Sequence, residues 1–188
     1  MSENLRRYHS ALYAMNGVVV RVDPGRWDDA SMCDDWTCRE VLGHVIWNTQ
    51  ATVAALGIGE RPPEQPEADV PGDDPAATWR SAMLAVLEAV DQQGALSTVV
   101  PGPFGEQPLD ERLRIATADV FTHTWDIATG LGMTHGLDEG LAEIIHEGLA
   151  GAGDLLRQPG LLGPPTEAPA GASAVERYIA FAGRTVPR

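Results

Sequence analysis

Apolar residues recur at helical spacing along most of this chain, and stretches rich in Gly and Pro cut that pattern into separate segments. Breaks fall at Asp23-Pro24-Gly25, from Gly57 to Pro75, at Pro101-Gly102-Pro103 and from Pro159 to Pro169. A first helix is predicted over residues 3–20, although β-branched Val18, Val19 and Val20 can end it early. A second follows Thr37-Cys38-Arg39-Glu40, which has the S/T-x-x-E spacing of a capping box, and runs to about Leu56. The third spans residues 75–93, with Asp74 as its cap, Pro75 at the first helical position, and Trp79, Met83, Val86, Leu87 and Val90 at core spacing. A fourth runs from about Asp110 to Gly130 or Gly132, where glycine permits the turn that stops a helix. A fifth covers residues 138–156, with Leu141, Ile144, Ile145, Gly148, Leu149 and Leu155 at helical intervals, and a short one follows around residues 174–182. Alternating patterns are nearly absent. The expectation is an all-α protein, an antiparallel helical bundle with long loops, formed by residues 1–188 as a single domain.

Charge removes several classes of function. Thirteen Lys and Arg against 27 Asp and Glu give a net charge of −14, so nucleic acid and anionic membrane surfaces are repelled. No run of about 18 apolar residues occurs and the first residues lack a leader pattern, so the expected location is cytoplasmic. Two cysteines, Cys33 and Cys38, are too few for a disulfide-built scaffold and suit a reducing compartment. The expected partners are a small-molecule substrate and, as a homodimer, a second copy of the chain.

Chemistry concentrates on the fourth segment. Asp119 and His123 are four residues apart, so a helix stacks them on one face, with Asp126 close to the same stripe. Such a pair is usually a solvated ion pair. Here the stretch from Ile115 to Ala128 has no basic residue and only these two acids, so charged groups lie in a mainly apolar helix and demand partners. His44, two turns into the second segment, is the best candidate for a third ligand, since Asn48, Ala51 and Ala55 along its side leave space. The alternative is a core histidine bonded to a carbonyl. Two histidines and a carboxylate would leave coordination positions open, as in a catalytic zinc site or the facial triad used by iron.

The other histidines compete less well. His135 follows a helix end, where it can interact with the dipole; His146 can pair with Glu143 or Glu147; His9 sits among Arg6, Arg7 and Tyr8, a surface context. Cys38, at a helix start, could have a lowered pKa, but both cysteines are read as packing residues. Of Trp27, Trp36, Trp47, Trp79 and Trp125, most are assigned to the core, and Trp47, one turn from His44, is the one expected to reach a pocket.

Two stretches carry a family resemblance. Residues 31–44, Ser-Met-Cys-Asp-Asp-Trp-Thr-Cys-Arg-Glu-Val-Leu-Gly-His, resemble the T-P-C-x-x-W-x-V-x-x-L-x-x-H signature of actinobacterial DinB/YfiT-like metal-binding proteins. Residues 119–130, Asp-Val-Phe-Thr-His-Thr-Trp-Asp-Ile-Ala-Thr-Gly, resemble their D/E-x-x-x-H-x-W-D-L-A-x-A-T-G segment. Leu161-Leu162-Gly163-Pro164-Pro165, Val175-Glu176-Arg177 and Gly183-Arg184 are similar to the tail of one subfamily, so the likeness spans most of the chain. The resemblance implies a four-helix up-down-down-up core with extra short helices. It also implies a divalent metal, usually zinc, bound by the residues matching His44, Asp119 and His123. Its branch is related to the N-terminal domain of mycothiol-dependent maleylpyruvate isomerase and includes bacillithiol and mycothiol S-transferases. Met32 stands where the usual residue is Pro, Cys38 where it is Val, and the isomerase's extra C-terminal domain is not expected here.

The resemblance implies mycothiol as a cosubstrate, with the metal removing the proton of a thiol whose ordinary pKa is near 8.5. The reaction would be S-transfer or an isomerisation by addition and elimination. Arg112, two turns before Asp119 on the same stripe, is a candidate for a substrate carboxylate, and Asp126 for orienting a ligand histidine. A thiol-independent metalloenzyme of secondary metabolism (a lyase, hydrolase or cyclase) and a non-catalytic metal- or ligand-binding protein are the alternatives.

Overall fold

A computed structural model describes residues 1–102, 104–151, 153–157 and 161–187. Pro103 of the third sequence break and Pro159 at the start of the fourth lie outside the described residues. Among those described there are six α-helices: α1 (Glu3–Val19), α2 (Cys38–Ala55), α3 (Pro75–Val90), α4 (Leu109–Gly130), α5 (Glu139–Ala150) and α6 (Ala174–Phe181). Short 3₁₀ turns join them, and the described strands are β1 (Val99–Val100) and β2 (Gln107–Pro108), an antiparallel pair. The chain divides into two compact units, residues 1–135 and 136–188.

The first unit is the bundle. Helix α1 packs chiefly on α4, α2 on α3 and α4, and α1 also touches α3, so the four close a ring. Local bonds fix their directions. The Ser2 hydroxyl and the Asn4 amide donate to Asp110, which brings the starts of α1 and α4 together, while Arg21 beyond the end of α1 donates to the Thr134 carbonyl beyond the end of α4. Those two helices are therefore parallel. Arg39 at the start of α2 donates to the Gly72 carbonyl just before α3, so α2 and α3 also start at one end. His9 near the start of α1 faces Asp91 at the end of α3 at 3.7 Å, which makes that pair antiparallel. The order is up-down-down-up. Running two consecutive helices parallel requires a long return, and the stretch from Leu56 to Asp74 supplies it.

Both arms of the predicted capping box at α2 form: the Thr37 hydroxyl accepts from the Glu40 amide, and the Thr37 amide donates to the Glu40 carboxylate at 2.8 Å. Asp74 caps α3 by accepting from the Ala77 amide, with Pro75 in the first turn. Helix α4 ends at Gly130, and Gly132 takes the left-handed conformation at φ 67° that turns the chain away. The core of this unit includes Leu12, Met15, Leu42, Ile46, Trp79, Val86, Leu109, Leu113 and Ile127, all fully or almost fully buried.

Gly43 decides how the return segment packs. A Cβ built there would stand 1.9 Å from the Glu67 carbonyl oxygen, so only glycine lets the 3₁₀ turn Glu67–Asp69 lie on α2 beside His44. Gly43→Ala is expected to destabilise the protein by about 3 kcal/mol, the upper end for overpacking, because backbone and not a flexible side chain must move. Chemical denaturation measures it, and an unchanged midpoint would contradict this packing.

The second unit corrects part of the periodicity reading. Helix α5 stops at Ala150, not at Leu156, and a 3₁₀ turn covers Gly153–Leu156. Leu141, Ile145 and Leu149 are buried as expected, but Ile144 is 41% and Leu155 61% exposed, so the apolar stripe is narrower than its residues suggested. Helix α6 carries a second full capping box, Ser173 with Glu176, and the Glu139 carboxylate accepts from the Val175 amide at 2.9 Å.

Candidate metal centre

Within the first unit three side chains from two helices converge. His44 projects from α2; Asp119 and His123, one turn apart, project from α4. His44 Nε2 is 3.3 Å and His123 Nε2 3.5 Å from the same oxygen of Asp119, the two rings meet edge to face with centroids 5.0 Å apart, and one donor atom from each residue lies within 4.8 Å of the others. Antiparallel packing of α2 and α4 produces this, because it sets the second turn of one helix against the middle of the other.

The surroundings fix the orientation of His123. Its Nδ1 bonds to the fully buried Asp126 carboxylate at 2.9 Å, which leaves Nε2 facing Asp119. The loop before α2 closes over the rings. Ser31 and Trp36 bond across it, Asp35 takes a left-handed conformation at φ 64°, and the Met32 amide bonds to the Asp126 carbonyl. Trp36 is thereby held 5.2 Å from the His44 ring and stacked at 6.2 Å on His123.

Charge in the cluster is strongly coupled. Burial would raise the Asp119 carboxyl, but the charge of His44 and hydrogen bonds from His123 and His44 hold it well below the usual carboxylate range. Burial likewise favours neutral His123, yet its bonds to Asp119 and Asp126 push it up to about 9. A partly buried anion between two imidazoles in a metal-free protein thus borrows a proton as its counter-charge. A divalent cation meets the same need, and two imidazole nitrogens with one carboxylate are a donor set that suits it. The residues fit such an ion.

Beside the cluster lies a polar layer. Tyr8 and Thr49 are buried and hydrogen-bonded; burial is the main cause that drives the Tyr8 hydroxyl far above its usual range, and that hydroxyl feels the charges of Asp119 and Arg112. Arg112 keeps Nη1 buried without a hydrogen-bond partner. Cys33 also approaches His123 and Asp126, but Asp126 already holds the His123 Nδ1, so that second grouping shares residues with the first and adds no separate site.

Other sequence readings are corrected. Trp47 does not join the cluster: its indole N–H donates to the Pro63 carbonyl and Arg61 lies over its ring, whereas Trp36 is the aromatic residue at the histidines. The packing role read for Cys38 holds, since it is fully buried in the core and burial pushes its thiol up to about 12. His146 packs on the Phe181 and Tyr178 rings, and Glu143 pairs with Arg177 at 3.5 Å. His9 is half-buried against Asp91 and is not a surface residue.

Comparison with known proteins follows the same residues. The family model described as the mycothiol maleylpyruvate isomerase N-terminal domain matches residues 8–128, which contain His44, Asp119 and His123. The chain belongs to this family. Two uncharacterized proteins of Mycobacterium tuberculosis, from strains CDC 1551 / Oshkosh and ATCC 25618 / H37Rv, are each 26% identical over 184 residues, covering 97% of this chain and 98% of their own. No solved structure matches the chain. The matched residues run from the middle of α1 almost to the end of α4, so the family's domain is the bundle that carries the cluster. Among the described residues, no helix of this family member is long and apolar enough to cross a membrane.

Proposed function

We propose that His44, Asp119 and His123 bind one divalent metal, zinc in the first instance, and that the protein uses it to join the thiol of a small cosubstrate such as mycothiol to an electrophile. The reaction is S-transfer, or isomerisation when the added thiol leaves again. The observation that carries this reading is the convergence of two imidazoles and a partly buried carboxylate in a bundle of the mycothiol maleylpyruvate isomerase N-terminal family. When bound, the metal supplies Lewis acidity that lets a thiol lose its proton at neutral pH.

The chain's own residues do the rest. Asp126 holds the His123 ring so that Nε2 faces the site. Asp119 contributes the negative charge that favours a dication over two neutral imidazoles. Trp36 packs against both rings and helps hold them in place. Arg112, with a buried N–H that has no partner, is suited to a carboxylate on the electrophile. A polar layer of Asn48, Thr49, Tyr8 and Arg112 favours this reading over an enzyme with a dry apolar cavity.

Mixing the zinc-loaded protein with mycothiol and a panel of electrophiles, with and without a carboxylate, tests the proposal. Thiol consumption, for S-transfer, or isomerised product with the thiol unchanged is expected only with metal present, and Arg112→Met should raise KM for the carboxylate-bearing electrophiles about tenfold or more, as loss of a charged hydrogen bond does. Absence of thiol binding at millimolar concentration would point instead to the thiol-independent metalloenzyme.

A further inference from the structure

Asn48 stands one turn after His44 on α2, and its amide nitrogen bonds to two atoms of the cluster at once: His44 Nε2 at 2.9 Å and Asp119 Oδ2 at 3.3 Å. Asp119 Oδ2 always carries a lone pair, and His44 Nε2 does so when the ring is neutral with its proton on Nδ1; both then face the candidate ion. Without a cation, two such acceptors can share one point only if a donor lies between them, and the Asn48 N–H₂ is that donor. When a cation is present the requirement reverses, and an electron-pair donor is wanted where the N–H₂ stood. A carboxamide meets both demands without moving its carbon frame, because a half-turn about its last bond exchanges nitrogen for oxygen. Among neutral side chains of this length, only asparagine does so.

We infer that Asn48 is a fourth member of the metal site: it bridges His44 and Asp119 through its nitrogen when no ion is bound, and turns its oxygen to the ion when one is. The oxygen is neutral, a weaker ligand than carboxylate or thiolate, so an incoming anionic ligand displaces it. Asn48 then closes the fourth position in the resting protein and yields it to the thiol. This inference rests on the proposed binding of a metal by His44, Asp119 and His123.

Cobalt(II) is the probe. Wild type, Asn48→Ala, Asn48→Asp and His123→Ala are titrated with cobalt against a competing chelator, the visible spectra of the loaded proteins are recorded, and each is then titrated with 2-mercaptoethanol. Asn48→Ala is expected to bind cobalt about tenfold more weakly and to show a changed visible band, because one oxygen is lost from the ion. Asn48→Asp is expected to bind at least about tenfold more tightly and to need at least about tenfold more thiol for the same spectral change, because its anionic oxygen resists displacement. Cobalt affinity and spectra identical to wild type in both Asn48 variants would overturn the inference while leaving the metal site standing. So would tighter binding by Asn48→Ala, which would mean that the amide only competes with the ion. Failure of the wild type to bind cobalt more tightly than His123→Ala would overturn the metal site itself, and this inference with it.

Discussion

Asp119→Asn is expected to lower the affinity for zinc by at least about a hundredfold, more than the tenfold to hundredfold usual for a residue that merely supports a ligand. The substitution keeps the shape of the side chain and removes its charge. Two neutral imidazoles would then face a dication in a half-buried site, with no carboxylate on the ion itself to offset the loss of hydration. The same substitution acts on the metal-free protein, because Asp119 is what sustains the proton on His123 together with Asp126. Competition with a chromophoric chelator measures the affinity. Retention of wild-type affinity would show that the ion, if bound, sits elsewhere.

The second large effect is that of pH, and it runs in opposite directions for metal binding and for metal-free stability. His123 in the metal-free fold holds its proton up to about 9, because its bonds to Asp119 and Asp126 outweigh burial, whereas an unfolded histidine loses it near 6.5. Its contribution to stability is therefore fully present below about pH 6.5 and is lost as pH rises through about 9. Asp119 is held below its unfolded value despite burial, through His44 and His123, so its contribution is present above about pH 4 and is lost as pH falls through its folded value. Metal binding needs His123 without that proton. Zinc affinity is thus expected to climb about tenfold per pH unit from pH 6.5 to 8.5, with release of about one proton from His123 per ion. Calorimetry in two buffers of different ionisation heat measures the proton count; a flat affinity across this range would contradict the coupling of His123 to its two carboxylates.

Much of this candidate site was legible in the sequence, and for identifiable reasons. Asp119 and His123 are one turn apart, so their alignment needed only a helix, and the capping box at Thr37 and Glu40 fixed where α2 begins. The approach of His44 depended on helix order and direction, which periodicity does not encode; its small neighbours made it the best candidate, with a core histidine as the alternative, and the family resemblance implied the same residue. Asn48 was visible as a small neighbour, although the same four-residue spacing that joined Asp119 to His123 joins it to His44. Trp36 was harder to read. It lies outside any helix, and its place against both rings depends on the turn at Asp35 and on the bond from Met32 to Asp126. The end of α5 was misplaced because Leu155 continued the spacing of Ile144 and Gly148, and spacing alone does not distinguish a buried apolar residue from an exposed one.

The most direct test of the account is the metal content of protein purified without a polyhistidine tag and without chelator, by elemental analysis of wild type beside His123→Ala. Close to one divalent ion per chain is expected in the wild type, and close to none in the variant. Equal metal in the two proteins, or none in either after incubation with zinc, would contradict the assignment of His44, Asp119 and His123 as its ligands.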